Sequence, residues 1–279
     1  MKTISISIFL MISLLSFGQE YSTFLRDWES HPVPTNEDTI RSFNRSQNDW
    51  FVFLYENEIR VVERRTQSYI DMRRNPTEEL PFRVRQSDSN FFNIGAPFAG
   101  LSDFLEVEDG FLLGFNRGED GEFYWFSKDG TERYQISELP VMQLIKRDNT
   151  IFAIEGMTGM VIASGSILQV ENREGKWIAE EYVAFQSYQL ELAPNWFWTV
   201  FHYPLLIGLD SKNNFIVVTN LGVYSVDKDA NLKELVTMSW EQLFPSSMVI
   251  QNDIVYIGMR KGVFGFDLAT KESKWLLPQ

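Results

Sequence analysis

Short apolar runs alternate with polar, turn-forming residues along most of this chain. The pattern is cleanest at the C-terminal end. Residues 246–250 form an apolar run, Asn252-Asp253 a turn, and 254–258 a second run. Arg260-Lys261-Gly262 turns the chain again into a third run at 263–266, and a polar loop leads to a fourth at 274–277. Apolar runs of this length, bounded by turn residues, read as strands, and hairpin-length turns join them into one antiparallel sheet.

The same order recurs upstream. The preceding unit spans 204–209, 215–219, 222–226 and 233–237, with turns at 211–214 and 227–231. Before it come 141–146, 150–154, a looser pair near Val161 and 167–170, and 177–183. Before that are 103–107, 110–115, 122–127 and 132–137, where Asp129-Gly130 predicts a two-residue hairpin. The first unit comprises 39–43, 50–55, 58–63 and either 68–72 or 82–86. Recurrence of one sheet-sized unit predicts an all-β fold, a single β-propeller of five four-stranded blades. Six blades follow if one of the two longest connectors hides a degenerate blade.

Those connectors are residues 74–101, or 87–101 if the first unit closes at 82–86, and residues 184–203. Both fall between the fourth strand of one unit and the first of the next. In a propeller that connection always emerges on one face, so the two insertions should share a rim at the mouth of the channel. Loops on a rigid scaffold are where function concentrates. Residues 20–38 precede the first unit. Part of this leader is expected to pair with the last sheet, with 21–28 favoured because Pro32 and Pro34 cannot donate in a ladder.

Two stretches resemble known repeats. Residues 262–275 resemble a blade of the quinoprotein-type (PQQ-like) propeller through Asp267, Thr270 and Trp275, although Lys271 stands where that repeat has Gly. Residues 213–227 are similar to a blade of the propeller sensor domains of bacterial two-component regulators. The other units lack the Trp motif, so the resemblance implies blades and no quinone cofactor.

Composition adds an export route. Lys2, the apolar run 4–15, and the small residues Ser16 and Gly18 have the three-part layout of a secretory signal peptide, with cleavage expected after Gly18 or Gln19. The run is shorter than the roughly 20 residues that span a bilayer. The domain is therefore taken as 20–279, periplasmic or secreted, with no membrane span in the mature chain. There is no cysteine, which removes disulfides, thiol catalysis and thiolate metal sites. The net charge is −13, or −14 without Lys2, and an acidic surface disfavours nucleic acid. Charge is uneven: Arg60, Arg64, Arg65, Arg73, Arg74, Arg83 and Arg85 crowd one stretch, and seven acids fall between Asp103 and Glu122.

Candidate chemistry is sparse. There are two histidines, His31 in the leader and His202 in the second insertion, which disfavours a histidine metal site and a Ser-His-Asp enzyme. His202 is read either as a contact residue or as a hydrogen-bonded structural one. The aromatic run 196–203 is either a stacking platform or a strand packed into the core. Residues 156–166 are Gly-rich without a following helix, so they fail as a phosphate cradle and mark a thinned or bulged strand. The function expected is a non-catalytic binding module for a protein or glycan partner, without cofactor or metal. Its contacts are assigned to Arg83, Arg85, Phe91, Phe92, Trp196, Trp198 and His202. The alternative is a glycan-cleaving hydrolase using paired carboxylates in the channel, with Asp103, Glu106 and Asp210 as candidates.

Overall fold

The computed structural model describes residues 23–34, 40, 42, 48–64, 80–82, 101–116, 121–158, 163–193, 196–238 and 243–279. The chain divides into two compact units, one of residues 1–67 with 242–279, the other of residues 68–241.

In the 68–241 unit, three four-stranded antiparallel sheets follow one another in chain order. The first holds β5 (Leu101–Val107), β6 (Gly110–Asn116), β7 (Gly121–Ser127) and β8 (Arg133–Ser137). The second holds β9 (Val141–Arg147), β10 (Thr150–Thr158), β11 (Ala163–Arg173) and β12 (Lys176–Phe185). The third holds β15 (Pro204–Leu209), β16 (Phe215–Thr219), β17 (Gly222–Val226) and β18 (Leu232–Thr237). Between the second and third lies a separate hairpin, β13 (Tyr188–Ala193) and β14 (Trp196–Val200).

The second sheet is buried on both faces. Ile151, Ala153, Leu168 and Val170 pack against Val107, Leu112 and Phe123 of the first sheet. Phe152, Ile154 and Ile167 pack against Ile207, Phe215 and Val217 of the third. Side chains alternate faces along a strand. A strand with apolar neighbours on both sides must therefore be apolar at every position, which is why 151–154 reads as an unbroken run. Each of the larger side chains among them contributes about 1.5–3 kcal/mol.

The first strands lie beside one another, β5 next to β9 and β9 next to β15, and side chains tie them. Asp103 Oδ2 accepts the Leu144 N–H at 2.8 Å. The Gln143 amide donates to the Ile207 carbonyl at 3.1 Å and accepts its N–H at 3.2 Å. Ser102 Oγ lies within hydrogen-bond reach of both the Val141 and the Gly114 carbonyl, one of which takes its proton. Successive four-stranded meanders, packed face to face with their first strands adjacent, are propeller blades. The chain is all-β and built from them.

The other unit contains a three-stranded sheet, in which β4 (Glu58–Arg64) lies between β1 (Thr23–Phe24) and β3 (Asp49–Tyr55). Its second sheet has five strands, β19 (Ser247–Gln251), β20 (Ile254–Met259), β21 (Gly262–Asp267), β22 (Ser273–Leu277) and then β2 (Glu29–His31). β3 packs beside β19 and β20, and the tie recurs: Ser247 Oγ accepts the Val52 N–H at 2.8 Å. Gly258 permits the approach, because a Cβ there would lie 2.5 Å from the Trp50 carbonyl.

Several expectations are corrected. The leader does pair with the last sheet, but through β2, just ahead of Pro32. Thr23 and Phe24 instead pair with Val61 and Arg60 on β4. A short 3₁₀ turn at Leu25–Asp27 separates the two and sends them to different sheets. Ile40 and Ser42 have helical backbone where a first strand was expected. Asp129-Gly130 belongs to a longer loop, closed by the Ser127 N–H on the Glu132 carbonyl, because the Asp129 carboxylate also takes the Thr131 N–H and hydroxyl. Of the looser pair near Val161 and at 167–170, Val161 lies outside the described residues, and 167–170 belongs to β11, which pairs with β10 from Ile151–Val170 to Thr158–Ala163, with Gly165 pressed against Pro204.

Candidate functional site

Strands β11 and β12 run 11 and 10 residues, against 7 for β9, so their hairpin projects past the Asp148-Asn149 turn. Glu174 and Gly175, both left-handed at φ 53° and 83°, form its tip, and the Asn172 side chain accepts the Gly175 N–H at 2.9 Å. Arg173 reinforces the tip with a two-pronged pair to Glu180 at 2.6 and 2.7 Å.

The overhang carries Trp177 toward the first sheet, where an aromatic cluster forms around one carboxylate. Asp109, in the turn after β5, accepts the Trp177 indole N–H at 2.9 Å and the Trp125 indole N–H at 3.3 Å. Trp125 stacks on Tyr134 with ring centres 5.1 Å apart and planes 23° off parallel. The Tyr134 hydroxyl accepts the backbone N–H of Trp177 at 2.5 Å. Burial, helped by the Asp109 charge, raises the Tyr134 pKa, so the phenol keeps its proton.

Beside this cluster is a groove of about 190 Å³ lined by Asn149, Thr150, Ile151, Gln169, Val170, Glu171, Asn172 and Trp177. This is below the roughly 300–1,000 Å³ of drug-sized pockets and suits a single ring. Ile151 and Val170 are buried at its base. Among the described residues, the Asn149 and Gln169 amides have no hydrogen-bond partner, and both line the groove with Trp177.

Of the contact residues named from sequence, His202 has a described side chain. Arg83, Arg85, Phe91 and Phe92 lie outside the described residues. Trp196 and Trp198 sit on β14, opposite Ala193 and Leu190, and the side chains of 192–198 also lie outside the description. His202 is 7% exposed. Its ring lies between Phe185 at 5.1 Å and Tyr224 at 4.9 Å, with Nε2 3.2 Å from Thr219 Oγ1.

The three carboxylates considered for hydrolysis have structural partners. Asp103 joins β5 to β9. Glu106 is exposed and pairs with Lys128 at 2.7 Å. Asp210 caps its loop through the Lys212 and Asn214 N–H groups. No cluster of metal-ligating residues occurs among the described residues.

Sequence reading missed Asp109, Trp125, Tyr134, Asn149, Gln169 and Trp177 as a group. Trp125, Tyr134 and Trp177 entered that reading only as members of the strands at 122–127, 132–137 and 177–183.

No family model and no curated protein matches the chain. Solved structures do. It is similar to the extracellular domain of a putative hybrid two component system, BT4673, from B. thetaiotaomicron (12% identity, TM-score 0.39), covering 64% of this chain and 21% of that one. A second structure of that extracellular domain, described as a putative one component system, gives 16% identity and TM-score 0.34, with coverage of 70% and 29%. A gluconolactonase from Xanthomonas campestris, XC5397, gives 13% identity and TM-score 0.38, with coverage of 69% and 63%. The chain spans less than two thirds of each of these. Among the described residues, no helix is long and apolar enough to cross a membrane.

Proposed function

We propose that this protein is an exported, non-catalytic binding module that holds one ring of a glycan in the groove beside Trp177. The observation that carries the reading is the pairing of an indole wall with two unpartnered amides, Asn149 and Gln169, in a single-ring groove. Aromatic faces stack on the apolar side of a sugar, and amides fix its hydroxyls by hydrogen bonds. The Asp109 bonds hold both indoles in place before a ligand arrives, which lowers the ordering cost of binding. Export is supported by the signal-like pattern at 1–19. Arg83, Arg85, Phe91 and Phe92, together with Trp196 and Trp198 on the β13–β14 hairpin, are the further contact residues of this reading.

Titration on a panel of immobilised polysaccharides tests the proposal. A binding glycan should be recovered intact. Gln169→Ala and Asn149→Ala should each weaken binding about three- to tenfold, the loss expected for one neutral hydrogen bond, with the circular-dichroism spectrum unchanged. Release of sugar products would favour the hydrolase, most directly if Asp103→Asn abolished it without unfolding. Absence of binding across the panel would overturn the glycan assignment.

A further inference from the structure

In the unit of residues 1–67 and 242–279, the segment 23–31 straps two sheets. β1 adds to β4, and β2 adds to β22 through Ser30 opposite Leu276. Beneath the strap is a cavity of about 350 Å³, within the roughly 300–1,000 Å³ range of small-molecule sites. Phe24, Leu25, Trp28, Ile59, Tyr256 and Leu276 give it apolar walls. Trp28 is fixed by its indole N–H on Thr23 Oγ1 at 3.0 Å and by edge-on contact with Trp50 at 4.8 Å.

The polar groups at the mouth divide into two sets. Arg26 is engaged by Glu58 at 2.6 Å, and the Gln251 amide donates to the Asn57 carbonyl at 2.9 Å. Among the described residues, the Lys274 ammonium has no carboxylate partner and the Ser30 hydroxyl has no hydrogen bond. Lys274 is nevertheless placed. Tyr256, Gly265 and Lys274 form one cross-strand row, and the lysine stem lies over Gly265, where a Cβ would come within 3.1 Å of its Cγ and Cε. Its Nζ rests 5.9 Å from the Tyr256 ring. Ser30 is diagonal to Lys274 on the same face, since it faces Leu276 two residues along.

We propose that this cavity binds a small carboxylic acid with an aromatic body, its ring among Phe24, Trp28 and Tyr256 and its carboxylate on Lys274 and Ser30. A cavity with apolar walls that has, among the described residues lining it, a lysine without a carboxylate partner and a free hydroxyl matches such a ligand: the ring gains burial and the anion gains a charge-assisted bond. Neutral aromatics forgo the second gain.

The test titrates the full chain with para-fluorophenylacetate, read by fluorine NMR line width, alongside its neutral twin para-fluorophenylacetamide. The acid should broaden saturably and reversibly, and the amide should bind about tenfold more weakly. Lys274→Met, which keeps the stem and removes the charge, should weaken the acid about tenfold and leave the amide unchanged. The acid–amide comparison uses the native chain and does not depend on the variant's folding. No saturable broadening by the acid, equal affinity for acid and amide, or unchanged acid binding in Lys274→Met would each overturn the proposal.

Discussion

Four loops close in the same way, and one residue in each carries the conformational cost. Asp210, Asp227 and Asp267 each accept backbone N–H groups from the loop they begin, as Asp129 does within its own. A left-handed residue follows: Asn213 at φ 65°, Ala230 at 64°, Lys271 at 65° and Gly130 at 70°. Gly130 meets this requirement without strain, whereas Lys271 carries a Cβ in a region that disfavours it. Lys271→Gly should therefore raise stability by about 0.5–1 kcal/mol in urea denaturation, and a loss of stability would contradict the reading. His202 makes a second residue-scale argument. Burial pushes its pKa below the usual value of 6.5, opposed by the Glu234 charge. The unfolded chain takes up a proton near pH 6.5 and the folded chain resists, so stability falls with pH below that point and is level above it. The urea midpoint should drop between pH 7 and pH 5, and His202→Phe should remove that component; an identical slope in the variant would count against it.

Among elements, the notable device is the tie between neighbouring edge strands of adjacent sheets. Strand edges expose N–H and C=O groups that need partners. Here one side chain supplies them across each junction: Asp103 to Leu144, Gln143 to Ile207, Ser247 to Val52. Gln143→Ala strands both backbone groups of Ile207 and should cost about 2 kcal/mol. Gln143→Glu retains one acceptor and should cost less. If the two variants unfold at the same urea concentration as the native chain, the tie contributes nothing. The leader is the other device. Its proline pair was correctly read as a limit on pairing, yet the strand that joins the last sheet stops at His31, just before Pro32. Thr23 and Phe24 were legible as strand residues but not as partners of β4, because pairing choice depends on which edge lies within reach.

Across the whole molecule, the strands were largely legible and the candidate site was not. Residues 204–209, 215–219 and 222–226 match β15, β16 and β17 residue for residue. The position of Lys271 is left-handed, which accounts for the Gly of the quinoprotein-type pattern and leaves the lysine of this chain without a structural explanation. The groove escaped notice because Trp177 reaches Asp109 across 68 positions and Trp125 reaches it across 16. Its depth follows from the unequal lengths of β9 and β11, which no local pattern reports.

The sequence by itself determined what short-range physics controls: the two-residue alternation of each strand, the turn residues that tolerate positive φ, and the net negative charge. Tertiary structure alone decided which ends of which strands meet. Register and sheet-on-sheet packing bring Asp109, Trp125 and Trp177 to one place, lay Lys274 over Gly265, and bury His202. Those choices minimise exposed apolar area and unpaired backbone over the whole chain, a balance that no stretch of residues encodes alone.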